Sequence, residues 1–561
     1  MAEHLAGEEV MAAEDCQRSG FCADSGVFRS LHRLSPRHLP SSDFPLDAAS
    51  FVLSLLPPAD RLAFLDLASG QGLSFSDLRR SVLSLAAALS LGLGIRPGDV
   101  VLLLAPNSVL YPVIALAVLA AGAVLCPASP LCTTADVVRQ VRDSGASIAI
   151  AAPEEAHKTA AAGLPTLLTR RPSPPDATHE ALPSAEEMME WGDPMAATPS
   201  GRRQSDPAAV LYSSGTTGSP KGAVLTHGNL IAAVSLLRWA SEASGSDGDV
   251  YLAFIPMSHV YGLVFFALGL PTTGARVVVM PRFELAAAME AVARHGVTNI
   301  PAVPPVVTAM AKSPQNWDLS GLRRIGTGAA AMPPASARGF RRRYPWVELR
   351  EGYGLTETCG AATFAAAAST RPEGRGVGQL LPGFEARVVA PATGKAEGPG
   401  GVGELWLRGA TVMWGYLGND VATAEAVADG GWLRTGDLVY FDEDGYLFIV
   451  DRIKELIKPN GYQVTPTELE ALLATHPHIL DAAVVPLEDE EAGQVPMAFV
   501  VRASDSRLTS EEVMQFVASQ VAPYKKIRRV AFIGTVPRSP AGKILRKDLI
   551  TLARQAVSPK L

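Results

Sequence analysis

Residues 213–222 read SSGTTGSPKG, set between Leu211-Tyr212 and the apolar run Ala223-Val224-Leu225. Glycines at 215, 218 and 222 let the backbone turn so that successive amides face one point. The hydroxyls of Ser213, Ser214, Thr216 and Thr217 add donors, and Lys221 adds charge. With Gly215 at the turn, these groups make an anion nest. The pattern differs from a Walker A loop, where Gly-Lys-Ser/Thr opens a helix; here Pro220 precedes the lysine and Gly222 follows it. A flexible linker shares this composition, but linkers are rarely bracketed by strand-like apolar residues. The stretch therefore reads as a phosphate loop at the end of a strand in an α/β protein.

Outward from this loop, apolar runs alternate with helical patterns. VVLLLA (100–105) and ASIAIAA (146–152) read as buried parallel strands, and DLRRSVLSLAAALSLGLG (77–94) as a helix ending in glycines. AAVLYSS, DVYLAFIPM, RVVVMP, NIPAVPPVV and RRIGTGAA follow between 207 and 350, several ending in Gly- or Ser-rich turns. In doubly wound folds ligands sit at such carboxyl ends. From 376 to 450, aromatics and Asp-Gly turns predict antiparallel hairpins. Beyond DRIKEL (451–456), a smaller α+β stretch carries strands AAVVPL and MAFVVR and the helix SEEVMQFVASQV. Residues 1–45 read as a polar, irregular surface arm, and 163–206 as a long surface connection.

Bulk properties narrow the function. At 561 residues the chain needs more than one core. Its formal charge of −7 gives no case for nucleic acid or anionic membrane as a main partner. Five cysteines without CxxC spacing predict neither a disulfide framework nor a zinc site, and a reduced intracellular setting. The acidic N-terminus resembles neither a secretory signal nor a transit peptide. The apolar stretch 100–127 is broken at Pro106-Asn107-Ser108, so a buried strand, turn and helix are expected and no membrane span.

Further motifs occur in order: FIPMSHVYGL (254–263), EGYGLTET (351–358), RTGDL (434–438), DRIKELIKPNGYQVTPTELE (451–470) and PRSPAGKILRK (537–547). With SSGTTGSPKG, their order and spacing resemble the adenylate-forming superfamily, and within it the plant 4-coumarate–CoA ligases and their ligase-like relatives, over roughly residues 50–550. The resemblance implies a large N-terminal domain of α/β layered subdomains with a small β-barrel-like part (46–450), a hinge (451–454) and a small mobile α+β C-terminal domain (455–561). It implies a carboxylate–CoA ligase that forms an acyl-AMP from ATP with Mg²⁺, then passes the acyl group to coenzyme A.

Site residues follow by the same resemblance. Loop 213–222 with Lys221 would hold the β- and γ-phosphates, and Glu357 the Mg²⁺. Thr356 would bond the AMP phosphate, with Glu351, Gly352, Tyr353 and Ala329 around adenine. Asp437 and Arg452 would face the ribose. A lone histidine after an apolar strand is usually a packed core residue, but His259 matches the residue that gates the acyl site. Tyr261, two positions on, would share its face in a strand-like segment and line the acyl pocket with Ala329. Lys543 matches the adenylation lysine and Lys454 the hinge. Lys458 and Gln463 would contact the adenylate, and Arg282, Asn460 and Gly461 coenzyme A.

Departures from the 4-coumarate ligase pattern fall on REGYG, with Glu351 for glutamine, GELWLRG, with Trp406 for cysteine, and Pro459-Asn460 before Gly461. They leave the lysines and carboxylates of the implied chemistry intact and bear on substrate choice. The expected acid is 4-coumarate or a related hydroxycinnamate; the alternative is a peroxisomal ligase for fatty or jasmonate-precursor acids. A non-catalytic adenylate-binding relative would require loss of Lys543, Lys221 or Glu357, all present. The final Pro559-Lys560-Leu561 resembles a peroxisomal address read by an import receptor, so the peroxisome or cytoplasm is expected.

Overall fold

A computed structural model describes residues 18–35, 38–58, 60–172, 182–198, 200–213, 220–245, 248–365, 376–460, 462–489, 491–503, 506–539 and 542–557. Among these, strands form four sheets. The first is centred on Val100–Leu104, flanked in parallel by Val124–Ala128 and Ile148–Ala151. Val101 and Leu103 enter the main core, whereas Leu102 and Leu104 enter a second cluster on the other face. A strand buried on both faces needs an unbroken apolar run, which is why VVLLL does not alternate. The Leu110–Ala120 helix that follows is apolar on all sides and buried on all sides. Among the described residues, no helix is long and apolar enough to cross a membrane.

The second sheet runs in parallel through Val250–Ala253, Asn299–Ala302, Arg324–Thr327 and Glu348–Leu355. NIPAVPPVV is strand only to Ala302; Pro304 sits in the first turn of the Pro304–Lys312 helix, where its missing N–H costs nothing. The third sheet is antiparallel, with Glu385–Val389, Gly403–Arg408, Trp432–Phe441 and Leu447–Arg452, as the Asp-Gly turns indicate.

Two sequence expectations are corrected. The arm 1–45, where described, contributes the hairpin Phe21–Cys22 and Val27–Arg29, which pairs with Glu385–Val389. Phe28 is fully buried and stacks on Phe441 at 4.4 Å. Two aromatics suffice to dock so short a hairpin, though the segment is polar on average. The connection 163–206 holds the parallel edge strand Thr166–Leu168 and the helix Ala185–Trp191, capped by Ser184 and Glu187.

The small C-terminal domain has the sheet Ile479–Asp489, Gly493–Arg502 and Arg529–Phe532. Val484, Ala498 and Val500 pack on one face, and Ala483, Val485, Met497 and Phe499 on the other. It meets the large domain where Lys312 Nζ donates to the Leu480 carbonyl at 3.3 Å. A second contact brings the backbone of Gly542 against Val303, 3.2 Å from where a Cβ would stand.

Candidate active site

A cavity of about 1060 Å³ lies at the carboxyl ends of the second sheet and between the two domains. On one side, Lys221 opens the strand Lys221–Thr226, which pairs antiparallel with Pro207–Ser213 and with Gly415–Tyr416. That pairing sets the Tyr416 ring under Lys221, with Nζ 5.0 Å from its centroid. The Tyr416 hydroxyl donates to Glu357 Oε1 at 2.9 Å, and the Met413 amide donates to the Glu357 carbonyl at 2.8 Å. The Ser213 hydroxyl is buried at the cavity wall without a hydrogen-bond partner among the described residues. Ser214, Gly215, Thr216 and Thr217 lie outside the described residues.

Across the cavity, the Tyr353 hydroxyl donates to Asp437 Oδ2 at 2.6 Å, and Arg452 Nε lies 3.1 Å from Asp437 Oδ1; Tyr353 and Arg452 line the cavity, whereas Asp437 is buried behind them and does not. Asp437 is 2% exposed, and burial raises its carboxyl from the usual range against the pull of Arg452. Strand pairing explains the meeting, since Asp437 lies opposite Arg452 in the third sheet. Gly352 is required by close approach: a Cβ there would stand 3.1 Å from the Thr363 carbonyl and from the Phe364 ring. Thr356 and Ala329 line the same wall, Ala329 in the left-handed region at φ 67°. Glu351 lies beside this wall and does not line the cavity; burial pushes its carboxyl up to about 7, opposed by Arg341.

His259 and Tyr261 both line the cavity, but the strand-like expectation is corrected. His259 caps the short helix Val260–Gly262, its Nδ1 accepting from the Tyr261 amide at 3.2 Å. A cap is where a side-chain acceptor meets an orphan N–H, so His259 is the last extended residue and Tyr261 already helical. Burial brings the imidazole down to about 4, against Glu357 which pulls it up. It is therefore neutral at physiological pH.

From the small domain, Lys543 reaches the cavity, with Lys454 at its edge. The turn behind Lys543 is closed by the Ser539 amide donating to the Lys543 carbonyl at 2.7 Å. Arg538 braces it on Asp481 at 2.9 Å and on the Gly542 carbonyl at 3.1 Å. Burial, then Arg452, lower the Lys543 ammonium to about 8. Arg282, Lys458, Asn460 and Gln463 do not come to this cavity: all four are exposed and absent from its walls. With Lys543 turned inward, the turn carrying Lys458, Asn460 and Gln463 faces elsewhere. Gly461 lies outside the described residues.

Tyr416 escaped the sequence reading. Its partners Glu357 and Lys221 are far away in sequence, and nothing in WGYLG marks it. Only strand pairing brings the three together. No cluster of three or more His, Cys, Asp or Glu side chains able to hold a metal occurs among the described residues.

The AMP-binding enzyme family matches residues 56–417, and the AMP-binding enzyme C-terminal domain matches 468–543. The chain belongs to the AMP-binding enzyme family. It is 43% identical over 552 residues to peroxisomal OPC-8:0-CoA ligase 1 of Arabidopsis thaliana, covering 96% of this chain and 98% of that one. It is 45% identical over 555 residues to 4-coumarate–CoA ligase-like 4 of Oryza sativa subsp. japonica, covering 96% and 97%. Within the family this AMP-binding enzyme is thus an acid–thiol (CoA) ligase of the 4-coumarate–CoA ligase-like group. Its fold matches ATP-bound MatB from Rhodopseudomonas palustris with a TM-score of 0.82 at 26% identity, covering 91% of this chain and 100% of that one. Against apo MatB the TM-score is 0.70.

Proposed function

We propose that this cavity performs both half-reactions of carboxylate–CoA ligation. An acid oxygen attacks the α-phosphorus of ATP, the bond to the β-phosphate breaks, and acyl-AMP and pyrophosphate result. The thiolate sulfur of coenzyme A then attacks the acyl carbon, and AMP leaves. The observation that carries the reading is the convergence of Lys543 with Glu357, Tyr353 and Lys221 around one cavity, from three separate stretches of sequence.

Lys221 and the loop before it bind the leaving pyrophosphate, where fixed positive charge favours the developing anion. Asp437 offers carboxylate oxygens to the ribose hydroxyls, held in place by Tyr353 and Arg452. Thr356 and Lys543 bind the α-phosphate, and neutral His259 separates the acyl site from the nucleotide. A single carboxylate beside phosphates suits Mg²⁺, which favours few protein ligands plus substrate oxygens. Glu357, oriented by Tyr416, would hold it, and the ion would supply charge neutralisation on the phosphate oxygens.

Lys454, Lys458, Asn460, Gly461, Gln463 and Arg282 serve the second half-reaction, after rotation of the small domain about 451–454. That Lys458, Asn460 and Gln463 lie away from the cavity while Lys543 lies in it fits the adenylating arrangement. So does the better match to ATP-bound than to apo MatB.

For the acid, hydroxycinnamates and peroxisomal acyl substrates both fit a ligase of this group. The cavity extends well past Tyr261, which favours the acyl alternative. The name of the Arabidopsis relative and the Pro559-Lys560-Leu561 end, outside the described residues, support a peroxisomal setting; a tagged protein lacking these three residues should then stay cytosolic. The ligase reading is tested by acid-dependent ATP–pyrophosphate exchange across cinnamates and aliphatic acids, with thioester detected when coenzyme A is added. Absence of exchange with every acid would sink it.

A further inference from the structure

The third sheet holds the chain slightly beyond its last strand. Asp451 lies opposite Leu438 within the strand Leu447–Arg452, and the Ile453 amide still donates to the Gly436 carbonyl at 3.0 Å. From Ile457 onward the side chains belong to the small domain: Ile457, Val464, Leu469 and Leu473 pack with Val484 and Val500 of its sheet. The pivot of a domain rotation therefore falls no earlier than Lys454. Asp451 stays with the large domain.

The small-domain helix Pro466–Leu473 begins short of partners. Thr465 stands at its cap position in extended backbone, yet its side chain bonds none of the helix amides. Pro466 has no N–H, so Thr467 carries the first donor that the helix cannot satisfy itself. The acceptor comes from the other domain. The Thr467 amide donates to Asp451 Oδ2 at 3.2 Å, and the Arg452 amide donates to Oδ1 at 2.7 Å, which fixes the carboxylate. Asp451 is 4% exposed. Burial pushes its carboxyl up to about 6, opposed by the two amides and by Arg546 and assisted by Glu455, so it is ionised at pH 7.5. Its charge meets the positive end of the helix dipole. The contact of Lys312 with the Leu480 carbonyl, by contrast, is exposed.

We propose that Asp451 is a positioning residue of the adenylation step: its carboxylate caps a small-domain helix from the large-domain side of the hinge, and so favours the arrangement in which Lys543 faces the cavity. Rotation strips the Thr467 amide of its acceptor and uncovers a buried carboxylate. The cap exists in one arrangement only, and it acts on Lys543 through the placement of the whole small domain. This rests on the ligase reading above and assigns a residue to its change of arrangement.

The test compares two rates in the full chain at pH 7.5: acid-dependent ATP–pyrophosphate exchange, and thioester formation from supplied acyl-AMP and coenzyme A. Each rate follows the share of enzyme in its own arrangement, so their ratio reads the balance whichever arrangement predominates. D451A should raise the thioester-to-exchange ratio by about tenfold, the size of one hydrogen bond to a charged group. The double variant D451A/T465D gives the helix a cap of its own, present in both arrangements. It should recover melting temperature lost in D451A and keep the raised ratio. These are ratios within one preparation, so a loss of folded enzyme cannot mimic them. An unchanged ratio in D451A, with both rates reduced alike, means that Asp451 supports the fold alone and overturns the inference. A native ratio in the double variant overturns it as well, because the cap would then act within the small domain and not across the hinge. Either result leaves the ligase reading standing; exchange with no acid removes both.

Discussion

Tyr353 and Asp437 are 84 residues apart and share a 2.6 Å hydrogen bond inside the cavity wall, with Arg452 closing on the other carboxylate oxygen at 3.1 Å. Asp437 accepts from both sides and carries the charge opposite Arg452. Asp437→Asn can keep an acceptor toward the guanidinium only by turning its amide N–H onto the Tyr353 oxygen, which reverses that bond and leaves Arg452 without its counter-charge. It should cost roughly 2–3 kcal/mol of stability, below the value for a fully buried pair because Arg452 is partly exposed and screened by water. It should also raise KM for ATP by about tenfold. Tyr353→Phe removes one bond and should cost about 1 kcal/mol. Melting curves and ATP titrations check both, and an unchanged KM in the asparagine variant would remove Asp437 from the ribose site.

The Glu357–Tyr416–Lys221 contact allows two contributions to be separated. Tyr416→Phe keeps the ring beneath Lys221 and loses only the 2.9 Å hydrogen bond to Glu357. Tyr416→Ala loses both. The first should raise the Mg²⁺ concentration needed for half-maximal exchange, by up to about tenfold. The second should in addition raise KM for ATP several-fold, by the ~1 kcal/mol of a cation–π contact. Identical behaviour of the two variants would mean that the ring does nothing for Lys221.

Why some of this was legible in sequence and some was not can be seen residue by residue. VVLLLA reads as a two-sided buried strand because the run is short and bounded by Gly98-Asp99 and Pro106-Asn107, which leaves no room for a helix buried on all sides. Lys221, Tyr353, Glu357 and Lys543 sit inside motifs whose order carries a resemblance, so they could be found without coordinates. Tyr416 could not, since its role is created by pairing with Ala223 across the sheet. The hairpin of Phe21 and Phe28 was hidden by its polar surroundings. Tyr261 does reach the cavity beside His259, but from a helical turn and not by the two-residue period of a strand.

Gly542 offers a test of domain closure. Its φ is +80°, and a Cβ would stand 3.2 Å from the Val303 Cβ in the large domain. Gly542→Ala meets a backbone penalty of about 1–2 kcal/mol and a crowded contact in the same step. The strain belongs to the turn itself, whereas the contact with Val303 applies only when the small domain presents Lys543 to the cavity. Acid-dependent exchange should fall about tenfold, while thioester formation from supplied acyl-AMP is unaffected. Equal loss of the two half-reactions would argue against the rotation about 451–454.

Lys543 should behave as a functional group kept at the expense of stability. Burial, followed by Arg452, lowers its ammonium from the ordinary range to about 8, while Glu455, Asp437 and Glu357 pull the other way. Between pH 8 and the lysine's unfolded value of ~10.4, the unfolded chain holds more protons than the folded one, so this group's contribution to stability rises with pH across that window. Below it the penalty is fully present. Lys543→Ala should therefore melt higher than the native enzyme at pH 7, with the difference shrinking as pH rises past 8. Yet it should lose acid-dependent exchange by a factor of about 10²–10³, as expected for removal of a positioned charge from a transition state. In the native enzyme kcat/KM for exchange should fall as pH rises through about 8, since that parameter reports the free enzyme. Lys543→Arg, always charged, should lack this limb in whatever exchange it retains. A lysine-to-alanine variant that melts lower at pH 7, or a lysine-to-arginine variant with the same alkaline limb, would show that the ammonium is not the group being titrated.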